Sequence, residues 1–178
     1  LFGDAEPAVV ASAVLACSHW RLGSTASIVA LGAHADAGVR RAVAVCLGTR
    51  EDESAVAALI VLSGDPDRDV RDWASFGLAS MSDADTEALR AALTVRLDDD
   101  DAEVRGEAMV GLARRRVRAV IPAVLKDLQG SGTALAIEAA GELADPVFVP
   151  DLERLFVADP ENEELAEALD RCREAMPS

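Results

Sequence analysis

The residue types able to do chemistry are few in this chain, and their spacing gathers them poorly. His19 and His34 are the only histidines, and neither has an adjacent acid in sequence to orient it as a base. Cys17, Cys46 and Cys172 are odd in number and lack the spacing of zinc ligands. Cys17 and Cys46 fall on apolar faces and read as small core residues of a reducing compartment. Asp98, Asp99, Asp100 and Asp101 invite a divalent cation. A calcium loop, however, needs alternating oxygen ligands, a glycine at its sharp turn and a glutamate further on. Four consecutive aspartates running into a helix read instead as a turn with a capping acid. Asp65, Asp67 and Asp69 are interleaved by Pro66 and Arg68 and read the same way. No phosphate-cradling glycine loop or nucleophile elbow is present. The expectation is no catalytic set, no cofactor and no metal.

Charge narrows the partners. The formal net charge is −15, which opposes wholesale nucleic-acid binding, since that requires cations to displace counterions from phosphates. The distribution is uneven. Arg114, Arg115, Arg116 and Arg118 cluster where one helix ends, complementing its negative pole or offering an edge to an anion. From Glu138 to Asp170 the acids face a single base, Arg154. That stretch reads as a solvated face, with a dock for a basic partner as the sharper alternative.

The elements that must position these groups repeat. Asp36-Ala-Gly-Val39-Arg40, Asp67-Arg-Asp-Val70-Arg71 and Asp101-Ala-Glu-Val104-Arg105 are one phrase written three times. Each is followed by small or apolar residues one and two helical turns on: Val43 and Leu47, Ala74 and Leu78, Ala108 and Leu112. The same frame without arginine fits Val9, Ala13 and Cys17 upstream and Leu135, Ala139 and Leu143 downstream, with Val10 and Ala136 at the arginine position. A second helix is expected in each period, over 26–33, 54–63, 85–97, 117–128 and 147–157, with glycine, proline and aspartate turns between. Each aspartate is placed as an N-cap. Each arginine, one turn in, is set to pair with its own aspartate or with an acid of the adjacent repeat. Asp36, Arg40, Asp67, Arg71, Asp101 and Arg105 then form a ladder between stacked units.

This motif, an acid followed by Val-Arg and then Ala and Leu at helical spacing, resembles the HEAT-like repeats, in the variety also found in bilin lyases. The resemblance covers roughly residues 4–157 and is best over 67–78 and 101–112. It implies an all-α, right-handed α-solenoid of about five helix pairs, at 4–34, 35–65, 66–98, 99–130 and 131–158. A capping helix is expected over 160–176. Members with a di-iron centre use repeated His-Glu pairs, and none occurs here. DNA-binding members use a basic, aromatic-lined surface, which this acidic chain with 3% aromatics lacks. The family implies a fold and leaves function open.

One continuous repeat domain over 1–178 is therefore expected, as a piece of a longer protein, because the chain opens at Leu1 without a methionine. Its N-terminal end is expected to pack on further repeats or on another copy. The functional expectation is a non-catalytic, cytoplasmic scaffold that binds a protein partner, with no membrane span. The second helices would line the contact face with Glu53, Arg90, Thr94, Arg118, Lys126 and Arg154. Trp73 is read first as a core plug beside Phe76, and otherwise as an exposed anchor. The competing reading is a lyase-like enzyme or regulatory subunit holding a small ligand in the concave groove. Nucleic-acid binding through Arg114, Arg115, Arg116 and Arg118 is a third.

Overall fold

Apolar residues spaced by helical turns, with a cap before each run, yield helices throughout. The computed structural model describes residues 2–20 and 22–176, and every regular element among them is helical. These are α1 (Pro7–Trp20), α2 (Thr25–Val29, extended by a 3-10 turn over Ala30–Ala33), α3 (Ala37–Gly48) and α4 (Glu53–Leu62). There follow α5 (Arg68–Ser80), α6 (Glu87–Arg96), α7 (Ala102–Arg114) and α8 (Ile121–Gln129). The array ends in α9 (Ala134–Leu143), α10 (Val149–Ala158) and α11 (Glu163–Glu174). Short 3-10 turns, Arg118–Val120 and Pro146–Phe148, lead into α8 and α10. Leu1 lies outside the described residues. No helix among those described is long and apolar enough to cross a membrane.

The helices stack in two rows. Each odd-numbered helix packs on the next, from α1 through α3, α5, α7 and α9 to α11. In the even row α2 meets α4, α4 meets α6 and α8 meets α10, but less closely, and α6 and α8 approach each other least. The odd row is thus the tighter side of the stack. Small residues permit this. A methyl on Gly106 would come within 2.4 Å of a Leu135 methyl, and one on Gly111 within 2.9 Å of Ala79 Cβ. Between the rows runs one apolar core, in which Phe148, Ile28, Leu47, Leu78 and Leu112 are almost fully buried. Burying each such side chain contributes roughly 1.5–3 kcal/mol. Helix α11 covers α9 and α10 with Leu165, Ala168, Leu169 and Cys172 and turns its acids outward.

Capping fixes the frame. Asp36, Asp67 and Asp101 accept the backbone N–H three residues on, as do Asp52, Thr86, Thr133 and Asn162. Two expected frames are corrected by this. In α1, Val10 and Val14 are buried while Val9 is 38% exposed, so the apolar stripe starts one residue later. In α9, Thr133 caps Ala136. Ala136 therefore takes the valine position and Ile137 that of arginine, with Leu135 half-buried over Gly106.

Candidate functional site

Two of the three repeated arginines, Arg40 and Arg71, reach forward into the turn before the next helix pair. Arg40 donates from Nε and Nη2 to Asp65, both at 2.8 Å, and from Nη1 to the carbonyls of His34 and Ala35. Arg71 makes the same fork on Asp99, at 2.9 Å on both arms, and its Nη1 holds the carbonyls of Asp65 and Pro66. Its Nη2 also meets the exposed Asp100 at 2.8 Å. Asp65 and Asp99 each sit two residues before a capping aspartate and accept its backbone N–H as well. Burial alone would raise these two carboxyls. The arginine forks and the backbone N–H outweigh it and hold both below the ordinary carboxylate range. The ladder thus joins Arg40 and Arg71 each to the acid two residues ahead of the next cap, while the capping aspartates are occupied by their own helices. Asp101 does both, capping α7 and accepting from Arg68 Nε at 2.6 Å.

Three of the four consecutive aspartates are accounted for by these contacts. Asp99 takes the fork, Asp100 braces it and Asp101 caps α7. Among the described residues no group of three or more His, Cys, Asp or Glu side chains is placed to hold a metal ion.

The arginine cluster is spread among three tasks. Arg115 is half-buried and closes the end of α5, donating to the carbonyls of Leu78, Ser82, Ala84 and Gly111 at 2.7–2.9 Å. Arg114 bonds Glu138 at 2.8 Å on the odd face. Arg116, at φ +56°, donates to the carbonyl of Glu142. Arg118 pairs with Asp145 at 2.5 Å. The remaining expected contact residues fall on the even row. Glu53 opens α4, Arg90 and Thr94 lie on α6, Lys126 on α8 and Arg154 on α10. Arg90 forks onto Asp85, and Arg154 bonds the Leu128 carbonyl.

Trp73 belongs to the opposite, odd row. It is 40% exposed and meets Phe76 edge-on at 5.9 Å, so it is no core plug. Glu107, on α7, is the group that spacing along the chain does not reveal. Burial, with Asp72, Glu138 and Glu103 adding like charge, pushes its carboxyl up to about 7. Its Oε2 is buried and accepts no hydrogen bond. Asp72 on α5 is raised too, again chiefly by burial. Glu138 continues the path into an open groove of about 360 Å³ between α9 and α11, which Glu142, Glu164 and Glu167 also line. Arg171 stands at its edge, tied to Glu167. Helices α5, α7, α9 and α11 together lay acids from Asp72 to Glu167 along one face, with Trp73 at one end.

Residues 26–113 match the family profile described as HEAT repeats. Protein YibA of Escherichia coli strain K12 is 33% identical over 136 residues, 76% of this chain and 48% of that protein. YibA of strain O157:H7 matches to the same extent. The chain spans about half the length of these curated relatives. The X-ray structure of E. coli YibA aligns with a TM-score of 0.82 at 28% identity, covering 97% of this chain and 65% of that one. Two engineered proteins align at a TM-score of 0.68 with 19% and 18% identity, each match covering 98% of this chain. They show the fold alone.

Proposed function

We propose that this chain, a member of the HEAT-like repeat family, is a non-catalytic scaffold that binds a basic segment of a partner protein along its odd-helix face. The observation that carries this reading is the line of carboxylates through Asp72, Glu107 and Glu138, one from each of three successive helices. Two of them are held above the usual carboxylate range. Crowded acids of this kind are relieved further by an incoming cation, beyond what Arg68 near Asp72 and Arg114 near Glu107 and Glu138 already supply. Trp73 offers a rigid apolar or cation–π contact at the end of the line. The acidic composition and the free thiols Cys17, Cys46 and Cys172 suit work in the cytoplasm.

The test is calorimetry with an arginine-rich helical peptide. Binding should release a proton near neutral pH, because a cation beside Glu107 lowers its pKa. Glu107→Gln should abolish the proton release, and Glu138→Gln should weaken binding. Peptide binding that is indifferent to both changes would refute the placement. The groove between α9 and α11 favours one second reading, a small ligand held there by a lyase-like or regulatory protein. A rise in Tm with a small ligand and none with basic peptide would favour it.

A further inference from the structure

The ladder of arginine forks is incomplete, and its open end lies in a groove. Arg40 and Arg71 each grip a carboxylate supplied two residues before the next cap, Asp65 and Asp99. Arg105 repeats the first half of the arrangement, its Nη1 donating to the carbonyls of Asp99 and Asp100 at 2.8 and 3.0 Å. Two residues before the next cap, Thr133, stands Ser131, too short and without charge. Asp127 takes over one of the two duties of the missing acid, accepting the Thr133 N–H at 2.9 Å. It does not take the other. Among the described residues no ion pair to Arg105 occurs, so its Nε–Nη2 edge carries no carboxylate.

Arg105 lines a groove of about 230 Å³ between the end of α6, α7 and α8. Leu97, Met109 and Ala123 give it an apolar floor, and Lys126 adds a second cation against the single acid Asp127. We propose that this groove binds a carboxylate-bearing ligand, its acid group seated on the Arg105 fork as Asp65 and Asp99 seat on theirs, with an adjoining aliphatic part against Leu97 and Met109. The carboxylate comes either from a small organic acid or from an acidic side chain of a peptide. The two earlier rungs supply the template for the chemistry: planar, bidentate and charge-assisted. The groove lies between the end of α6, α7 and α8, and none of Asp72, Glu107 and Glu138 lines it.

The experiment uses the chain as it is and three probes: propionate, inorganic phosphate, and an N-acetylated, amidated tripeptide with a central glutamate. Two readouts report on the groove. One is the Arg105 side-chain Nε–H resonance. The other is acylation of Lys126, the only lysine in the sequence. Saturable shifts at Arg105 with slower acylation of Lys126 are expected from a carboxylate. Propionate acting alone identifies a small-acid site, and the tripeptide binding more tightly identifies a peptide side chain. Arg105→Gln should weaken binding by roughly tenfold or more. Ser131→Asp should occupy the fork from within, abolishing binding while raising Tm, a result that misfolding cannot produce. Saturation by phosphate alone, shifts that never saturate, or undiminished binding to Ser131→Asp would overturn the proposal.

Discussion

Replacing Arg71 with methionine keeps the aliphatic stem and deletes the fork from the middle rung. The side chain of Asp99 is 4% exposed and that of Arg71 is 11% exposed, so the carboxylate left behind meets little water. Removing one partner of a buried pair costs about 3–5 kcal/mol. Arg96 Nη1 at 3.4 Å and the Asp101 N–H at 3.1 Å remain to Asp99, which favours the lower end, about 3 kcal/mol. For a cooperatively unfolding chain of 178 residues that lowers Tm by roughly 8 °C. Asp99→Asn in the same background should recover much of the loss, giving a coupling of about 1.5 kcal/mol or more. Arg105→Met is the internal comparison. It removes two carbonyl contacts and no ion pair, and should cost less than half as much.

The pH dependence carries the sign of the argument. The folded pKa of Asp99 is depressed. Its contribution is therefore present above the unfolded value of about 3.9 and disappears as pH falls through the folded value. In Arg71→Met the same carboxyl keeps only Arg96 and the Asp101 N–H against its burial, so its folded pKa rises relative to that in the parent. That variant therefore loses less stability than the parent as pH falls, and the gap between them should be smaller at about pH 4 than at about pH 7. Urea denaturation followed by far-UV circular dichroism at both values reads this directly. A cost under about 0.5 kcal/mol, or a coupling of zero, would refute the account of the ladder.

Glu107 has the opposite sign. Its folded pKa of about 7 lies above the unfolded value, so the parent should lose stability as pH rises from about 4 toward 7. Glu107→Gln should flatten that slope and raise Tm at alkaline pH by the equivalent of a gain on the order of 2 kcal/mol, seen by differential scanning calorimetry. Gly111→Ala should destabilise by about 1–2 kcal/mol in chemical denaturation, overpacking outweighing the helix propensity gained, since its methyl would lie 2.6 Å from Leu93 and 2.9 Å from Ala79. Trp73→Ala should cost under about 1 kcal/mol of stability while Phe148→Ala, fully buried, costs about 3–5 kcal/mol. Thermal melts of the pair separate an exposed anchor from a core plug. Cys172, buried and pushed by that burial up to about 11, should resist a thiol reagent longer than the partly exposed Cys17.

The helix pairs, their caps and the all-α stack were legible because Asp-x-x-Val-Arg fixes the cap and the first turn together. Phase was less legible where the phrase decays. In alanine-rich α1 and α9, spacings of three and four admit two frames, and Thr133 is the cap that decides between them in α9. The partners of Arg40 and Arg71 lie 25 and 28 residues away, at positions that look like turn filler until the repeats are stacked. Glu107 left no mark at all, since its high pKa arises from burial in the stack, with Asp72 and Glu138 on neighbouring helices adding like charge. Arg115 was hidden in a basic run whose members, once folded, point to different neighbours. Trp73 was misjudged as filling because size argued for the inside, whereas the face it shares with Phe76 is half open.

The offset of the arginine forks sets where this array can be cut and rejoined. A boundary drawn between helix pairs, as the eye divides them, would strand an arginine on one side and its buried acid on the other. Removing or inserting one whole period between Arg40 and Asp99 joins an arginine to an equivalent acid and leaves those rungs closed, whereas a cut that takes Asp99 and keeps Arg71 would leave Arg71 facing Ser131. The heritable unit of growth is thus a length of chain with no fixed starting point. Between Arg40 and Asp99, then, a layer can be gained or lost without passing through an intermediate that buries a lone charge.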